Sequence, residues 1–376
     1  MAGSDSQGGT QAGYQQPQTT IEPPGGPFIR HSQQGRRSMY AVTGVAFGGL
    51  ITQPMPAATG YVRGYRLVIS VTGGTGSAAA LTADAPYNLF SQITLKDAFG
   101  TPLIVGPGYE VLYLLPKFAG GFGTILTRDV TNLPSYQAPS LAGNLKFTSQ
   151  IPLEFAKGYG VISGANASLP PNIQFNLNPL TQVYTNSPGG SPVVNVVNDA
   201  DFYWLPEGVS VEPPGLGTTR QWILQPCTPG IGSGAATIVQ LPRLGGYIDT
   251  LILIIRDINN NRVDAWPAAG NRLRFLLDGV QVIDSAIEHI YDDMAIMYQG
   301  TSRPVGVIAF SRKNSLSQED MGLFDTLEST ISTNPGTQIE IQGVPWGTVP
   351  NPPATLYALI GQIVPAGTLV QGLPEA

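Results

Sequence analysis

Gly246-Tyr247-Ile248-Asp249-Thr250-Leu251-Ile252-Leu253-Ile254-Ile255-Arg256-Asp257 has an earlier partner 186 residues before it in Gly60-Tyr61-Val62-Arg63-Gly64-Tyr65-Arg66-Leu67-Val68-Ile69-Ser70-Val71. Both read as long β-strands. In the earlier copy Tyr65, Leu67, Ile69 and Val71 alternate with Arg66, Val68 and Ser70, the period-2 pattern of a strand with one face in a core. The later copy is apolar and branched almost throughout from Leu251 to Ile255, as in a strand covered on both faces. A strand that recurs with similar neighbours on each side predicts two copies of one β-rich unit.

The neighbours do recur, in order of elements rather than letter by letter. Met39-Tyr40-Ala41-Val42 precedes the first copy, and Gln221-Trp222-Ile223-Leu224 the second. A hairpin follows each: Ser91–Leu95 and Pro102–Val105 around a turn with Asp97 and Gly100, then Arg272–Leu277 and Val280–Ile283 around Asp278-Gly279, a tight-turn signal. Next comes a helix. In the second unit Ser285 and Glu288 have capping-box spacing, and Ile287, Ile290, Tyr291, Met294 and Tyr298 form one stripe ending before Gly300. The first unit has the shorter Tyr109–Leu115, expected to stop at Pro116. Further strands are predicted at 145–155 and 172–177, and at 305–310 and 337–341. Ala200–Leu205 and Ala354–Leu359 then close the two units alike.

With 376 residues, two domains are the natural division. We place a disordered tail at 1–37, a first domain at 38–206, a linker at 207–219 containing Pro213-Pro214-Gly215, a second domain at 220–365 and a polar exit at 366–376. Many short strands, frequent Gly and Pro turns and short helical insertions define an all-β class: two tandem jelly rolls, each an eight-stranded β-sandwich. The 12% charged content, against a typical ~25%, predicts a surface covered by neighbours in an assembly. A net charge of −6 argues against a dedicated nucleic-acid binder. One cysteine, Cys227, excludes an internal disulfide framework and fits synthesis in a reducing cytoplasm. The tail ends in a basic and apolar cluster, Arg30, His31, Arg36 and Arg37 beside Phe28 and Ile29, suited to phosphates or lipid headgroups.

Catalytic signals are sparse, and a non-enzymatic protein without cofactor or metal is expected. His289 and Asp292 share a helix face without a nucleophile in a recognisable elbow. Asp257, Asn259 and Asn261 open like a calcium loop, which then fails at Arg262 and Ala268, so an Asn-rich turn is predicted. Gly73-Gly74-Thr75-Gly76 lacks the Lys-Ser/Thr of a phosphate loop and reads as a turn. Asn166-Ala167-Ser168 matches a glycosylation sequon, which matters only on secretion. Glu154, Glu340 and Asp249 are formal candidates for paired glycosidase carboxylates, with pairing to Arg or exposure to solvent the plainer expectation.

In this setting the chain resembles the double jelly-roll major capsid proteins of tailless icosahedral bacteriophages, the tectivirus-like lineage. The likeness rests on Ala85-Pro86-Tyr87-Asn88-Leu89-Phe90-Ser91-Gln92-Ile93 leading to Asp97-Ala98-Phe99-Gly100, on Gly108-Tyr109-Glu110, and on Ile151-Pro152-Leu153-Glu154-Phe155. It implies a virion protein, made in the host cytoplasm, that forms homotrimers of pseudo-hexagonal outline. These tile an icosahedral shell together with penton and minor capsid proteins, over an internal lipid membrane and without a specific nucleic-acid partner. Arg30, Arg36 and Arg37 would then face that membrane or the particle interior. The competing expectation is a jelly-roll receptor- or carbohydrate-binding spike or module, for which Trp204, Trp222, Trp266 and Trp346 are too scattered to mark a loop cluster.

Overall fold

The computed structural model describes residues 26–54, 60–118, 133–155, 158–164, 171–214, 217–242, 245–297, 303–311, 331–334 and 336–365. The first unit is built from β1 (Gln33–Ala46), β2 (Leu50–Pro54), β3 (Tyr61–Thr75), β4 (Phe90–Lys96), β5 (Pro102–Gly106), β6 (Leu145–Pro152), β7 (Asn172–Leu177) and β8 (Gly189–Trp204). The second repeats the series with β9 (Thr218–Pro226), β10 (Ile238–Gln240), β11 (Gly246–Arg256), β12 (Arg272–Leu277), β13 (Val280–Ala286), β14 (Val307–Ser311), β15 (Ile339–Val344) and β16 (Thr355–Pro365). Short pairings at 80–81 with 184–186, at 162–163 and at 331–333 decorate this frame.

The sheets of the first unit run β1-β8-β3-β6 and β2-β7-β4-β5; those of the second run β9-β16-β11-β14 and β10-β15-β12-β13. In both units, therefore, the first, eighth, third and sixth strands share one sheet and the second, seventh, fourth and fifth share the other. This is the strand order of an eight-stranded jelly roll, so the expected pair of tandem jelly rolls is the fold.

The repeat extends to single residues. In β3 the ladder to β8 passes from Gly64↔Asp201 to Val62↔Phe202, skipping Arg63. In β11 the ladder to β16 passes from Thr250↔Gly361 to Ile248↔Gln362, skipping Asp249. One bulge thus stands at one place in both units, and it fixes the register. It makes Arg63 the counterpart of Asp249, and Asp201 that of Gly361.

The side-chain patterns behave as read. In β3, Tyr65, Leu67, Ile69 and Val71 are buried while Arg66, Val68 and Ser70 are half-buried; in β11 every residue from Ile248 to Arg256 is buried. Each fully buried branched side chain contributes about 1.5–3 kcal/mol relative to exposure. A single hydrophobic cluster runs from the first unit into the second. The Asp278-Gly279 turn forms as expected, with φ of 51° and 75°.

Several local expectations are corrected. Within the stretch taken as tail, Gly26–His31 is a helical turn (α1) and β1 begins at Gln33, pairing with Trp204; residues 1–25 lie outside the described residues. Pro116 does not stop its helix. A π-helical turn at Glu110–Leu114, closed by the Leu115 N–H on the Glu110 carbonyl, runs into α2 (Leu115–Phe118), and the Leu112 carbonyl, which proline leaves without an N–H, accepts the Ser149 hydroxyl at 2.6 Å. Ser285 belongs to β13, opposite Leu273, so no capping box forms. Glu288, in α3 (Ile287–Met297), instead accepts the Gly270 N–H at 2.6 Å. Ile287, Ile290 and Met294 are the buried face of α3, while Tyr298 and Gly300 fall outside the described residues. The Gly73-Gly74-Thr75 run is the end of β3, paired with Gly189 and Gly190, rather than a turn.

Candidate assembly surface

The two units meet through backbone as well as side chains. β5 and β9 pair in parallel, Ile104 with Trp222 and Val105 with Ile223, so one sheet runs β14-β11-β16-β9-β5-β4-β7-β2 through both units. Beside this join, Arg256 of β11 donates to Asp84 at 2.9 Å, to Glu110 at 2.7 Å and to the Asn260 carbonyl at 2.8 Å. Arg262 donates to the other Asp84 oxygen at 2.6 Å and lies 4.3 Å over the Tyr109 ring. Two arginines of the second unit therefore match two carboxylates of the first. Burial works against the Arg256 charge, but Glu110 and Asp84 outweigh it and hold its pKa above the ordinary arginine range.

A second buried pair lies at the repeated bulge. Arg220 donates to Asp249 at 2.9 Å, with side chains 0% and 3% exposed, and its guanidinium sits 5.5 Å over the Phe155 ring of the first unit. The counterpart of Asp249 is Arg63, which donates to Glu154 at 2.6 Å. Glu154 also accepts from the Tyr203 hydroxyl and the Gly158 N–H, each at 2.7 Å. Two of the three carboxylates considered for glycoside chemistry are thus held by arginines. Glu340 is half-buried on β15, with Gln240 3.4 Å away.

The other sequence candidates are dispersed. Asp257 accepts the N–H groups of Asn259 and Asn261 and the Asn351 amide, at 3.0, 2.8 and 2.8 Å, which makes its loop an Asx turn. Among the described residues no group of three or more His, Cys, Asp or Glu stands together as a metal site. His289 and Asp292 are both exposed on α3. Cys227 is buried and free, and burial pushes its thiol up to about 12. No described helix is long and apolar enough to cross a membrane.

The basic cluster is split. Arg30 is exposed at the end of α1; Arg36 and Arg37 are consecutive on β1, with Arg36 donating to Asp201 at 2.8 Å. Phe28, grouped with them in the sequence, is 1% exposed and packs edge-on against Tyr61 and Tyr203 at 5.5 and 5.3 Å. It anchors the start of the chain and is not part of an open apolar patch.

Two strands keep an open edge where their counterparts do not. β13 takes the place in its unit that β5 takes in the first, but among the described residues it pairs only with β12, and Val280 and Val282 on it are 67% and 47% exposed. β1 matches β9 but among the described residues pairs only with β8. Sequence reasoning missed these edges, because pairing partners distant in the chain leave no local mark.

No protein-family model and no curated protein matches the sequence. Solved structures do match. The STIV MCP superposes with a TM-score of 0.62 at 13% identity, covering 89% of this chain and 97% of that one. PBCV-1 VP54, fitted into a reconstruction of the virophage Sputnik, gives 0.59 at 13% identity, covering 92% and 97%. The faustovirus major capsid protein gives 0.52 at 9% identity, covering 89% and 90%. At such identities the likeness is one of fold, over nearly the whole length of each chain, and the neighbours are viral major capsid proteins.

Proposed function

We propose that this chain is a major capsid protein, a structural and non-enzymatic component of a virion, whose homotrimers of pseudo-hexagonal outline tile an icosahedral shell of the tectivirus-like kind. The observation that carries the reading is the exact repetition of jelly-roll strand order within one chain, in a fold shared along its length with the neighbours above. Two equivalent rolls per chain give three chains six rolls around a threefold axis, which is the shape of a hexagonal tile. The low charge of 12% fits a molecule whose surface is largely covered by copies of itself and by penton and minor capsid proteins. Under this reading the division at 207–219 separates the two rolls of one tile. Under the same reading the exposed Arg30, at the end of α1, would meet anionic headgroups of a membrane beneath the shell.

Light scattering on the purified chain over a ten-fold dilution tests the reading. The expected result is a constant mass near three times 39.7 kDa, about 119 kDa. A monomer that persists at every concentration would overturn it.

A further inference from the structure

The internal join supplies a template for the join between copies. Both hairpins that carry the joining strand have the same bulge: β4–β5 skips Leu103 between Leu95↔Ile104 and Lys96↔Pro102, and β12–β13 skips Val282 between Phe275↔Ile283 and Leu276↔Gln281. Ile283 is therefore the counterpart of Ile104, and Asp284 that of Val105. On the receiving side, Trp222 lies opposite Gly361 and Ile223 opposite Ile360, while Arg36 lies opposite Asp201 and Arg37 opposite Ala200. Because Asp201 and Gly361 are counterparts, Arg36 corresponds to Trp222 and Arg37 to Ile223.

We propose that β13 of one copy pairs in parallel with β1 of the next, Ile283 beside Arg36 and Asp284 beside Arg37, repeating between chains the β5–β9 join within the chain. The inference rests on the trimer reading and names the edges that close it. Three observations support it. Both edges are open among the described residues while the equivalent pair is closed. The residues at the two positions change from Val105 and Ile223, an apolar pair, to Asp284 and Arg37, an opposite-charge pair. Both are accessible: Arg37 is exposed, and Asp284 is half-buried, its carboxyl held below the usual range chiefly by the hydrogen bond from Arg272. The contact is heterologous, so it propagates from copy to copy and ends only when a ring closes. A ring of three contains six such joins, three inside chains and three between them.

The test is disulfide trapping, since neighbouring Cα atoms in paired strands lie within the reach of a disulfide. Two double variants, I283C with R36C and D284C with R37C, are oxidised mildly and run on non-reducing gels beside the four single variants; Cys227 is buried and does not compete. The mass of the unaltered protein is measured in parallel. The expected result is covalent dimers and trimers from at least one double variant and from none of the single ones. Trimer mass without trapping in either pair would overturn this assignment of edges while leaving the trimer standing. A monomeric mass of the unaltered protein would overturn both.

Discussion

Arg256 ties the units together through one guanidinium, and its replacement shows what that tie is worth. Its side chain is 9% exposed and Glu110 is 1% exposed, so Arg256→Ala leaves a buried carboxylate without its cation. Breaking one side of a buried pair costs about 3–5 kcal/mol, because the remaining charge is neither solvated nor matched. Asp84 keeps Arg262 at 2.6 Å and is the less affected partner. The expected outcome is a loss of that size in urea-induced unfolding at neutral pH, with smaller loss for Arg256→Ala combined with Glu110→Gln, since the second change removes the stranded charge. Equal losses for single and double variants would show that packing, and not charge, is what Arg256 supplies.

At the scale of strands, the two copies diverge where one unit has to pack on the other. Arg36, Asp201 and Arg66 form an ion-paired row on the first unit, where Asp201 accepts from Arg36 at 2.8 Å and from Arg66 at 2.5 Å. On the second unit the counterparts of Arg36 and Asp201 are Trp222 and Gly361. A β-carbon on Gly361 would stand 2.7 Å from an Asp249 carboxylate oxygen and 2.8 Å from the Trp222 ring, so only glycine lets the indole lie across the strand. Gly361→Val is expected to destabilise the chain by about 1–3 kcal/mol through overpacking, read as a lower unfolding midpoint, whereas Gly208→Val, in open space, should act only through its backbone angle. The alternation in β3, the apolar run of β11 and the Asp278-Gly279 turn were legible in sequence because each is a local pattern of periodicity or turn chemistry. Counterparts such as Asp201 and Gly361 were not, since they share no chemistry and become visible only through the bulge that aligns their ladders. The extent of β1 was hidden for a related reason. Gln33 to Ser38 is polar, and its strand conformation comes from pairing with β8, more than 160 residues away. The Ser285 and Glu288 spacing misled because a strand continuing to Ala286 took the capping position.

For the molecule as a whole, the division into two rolls does not make two independent folding units. The β5–β9 join makes one sheet of strands from both rolls, the Arg256 ion pairs and the Arg220–Phe155 contact cross the same boundary, and one apolar cluster extends through it. Independent domains instead show interfaces that few contacts cross. Loss of the first roll would strand Arg256 and loss of the second would strand Glu110, so the cost of opening one unit falls on the other. The tryptophans offer a way to observe this. Trp222, Trp266 and Trp346 are buried in the second roll, at 1%, 3% and 1% exposure, while Trp204 of the first is 38% exposed. Fluorescence therefore reports mainly on the second roll, and far-ultraviolet circular dichroism reports on the strands of both. Coincident denaturation curves from the two probes are expected, the mark of an all-or-none transition. A fluorescence curve displaced from the dichroism curve would mean that the rolls unfold separately and that the seam couples them only weakly.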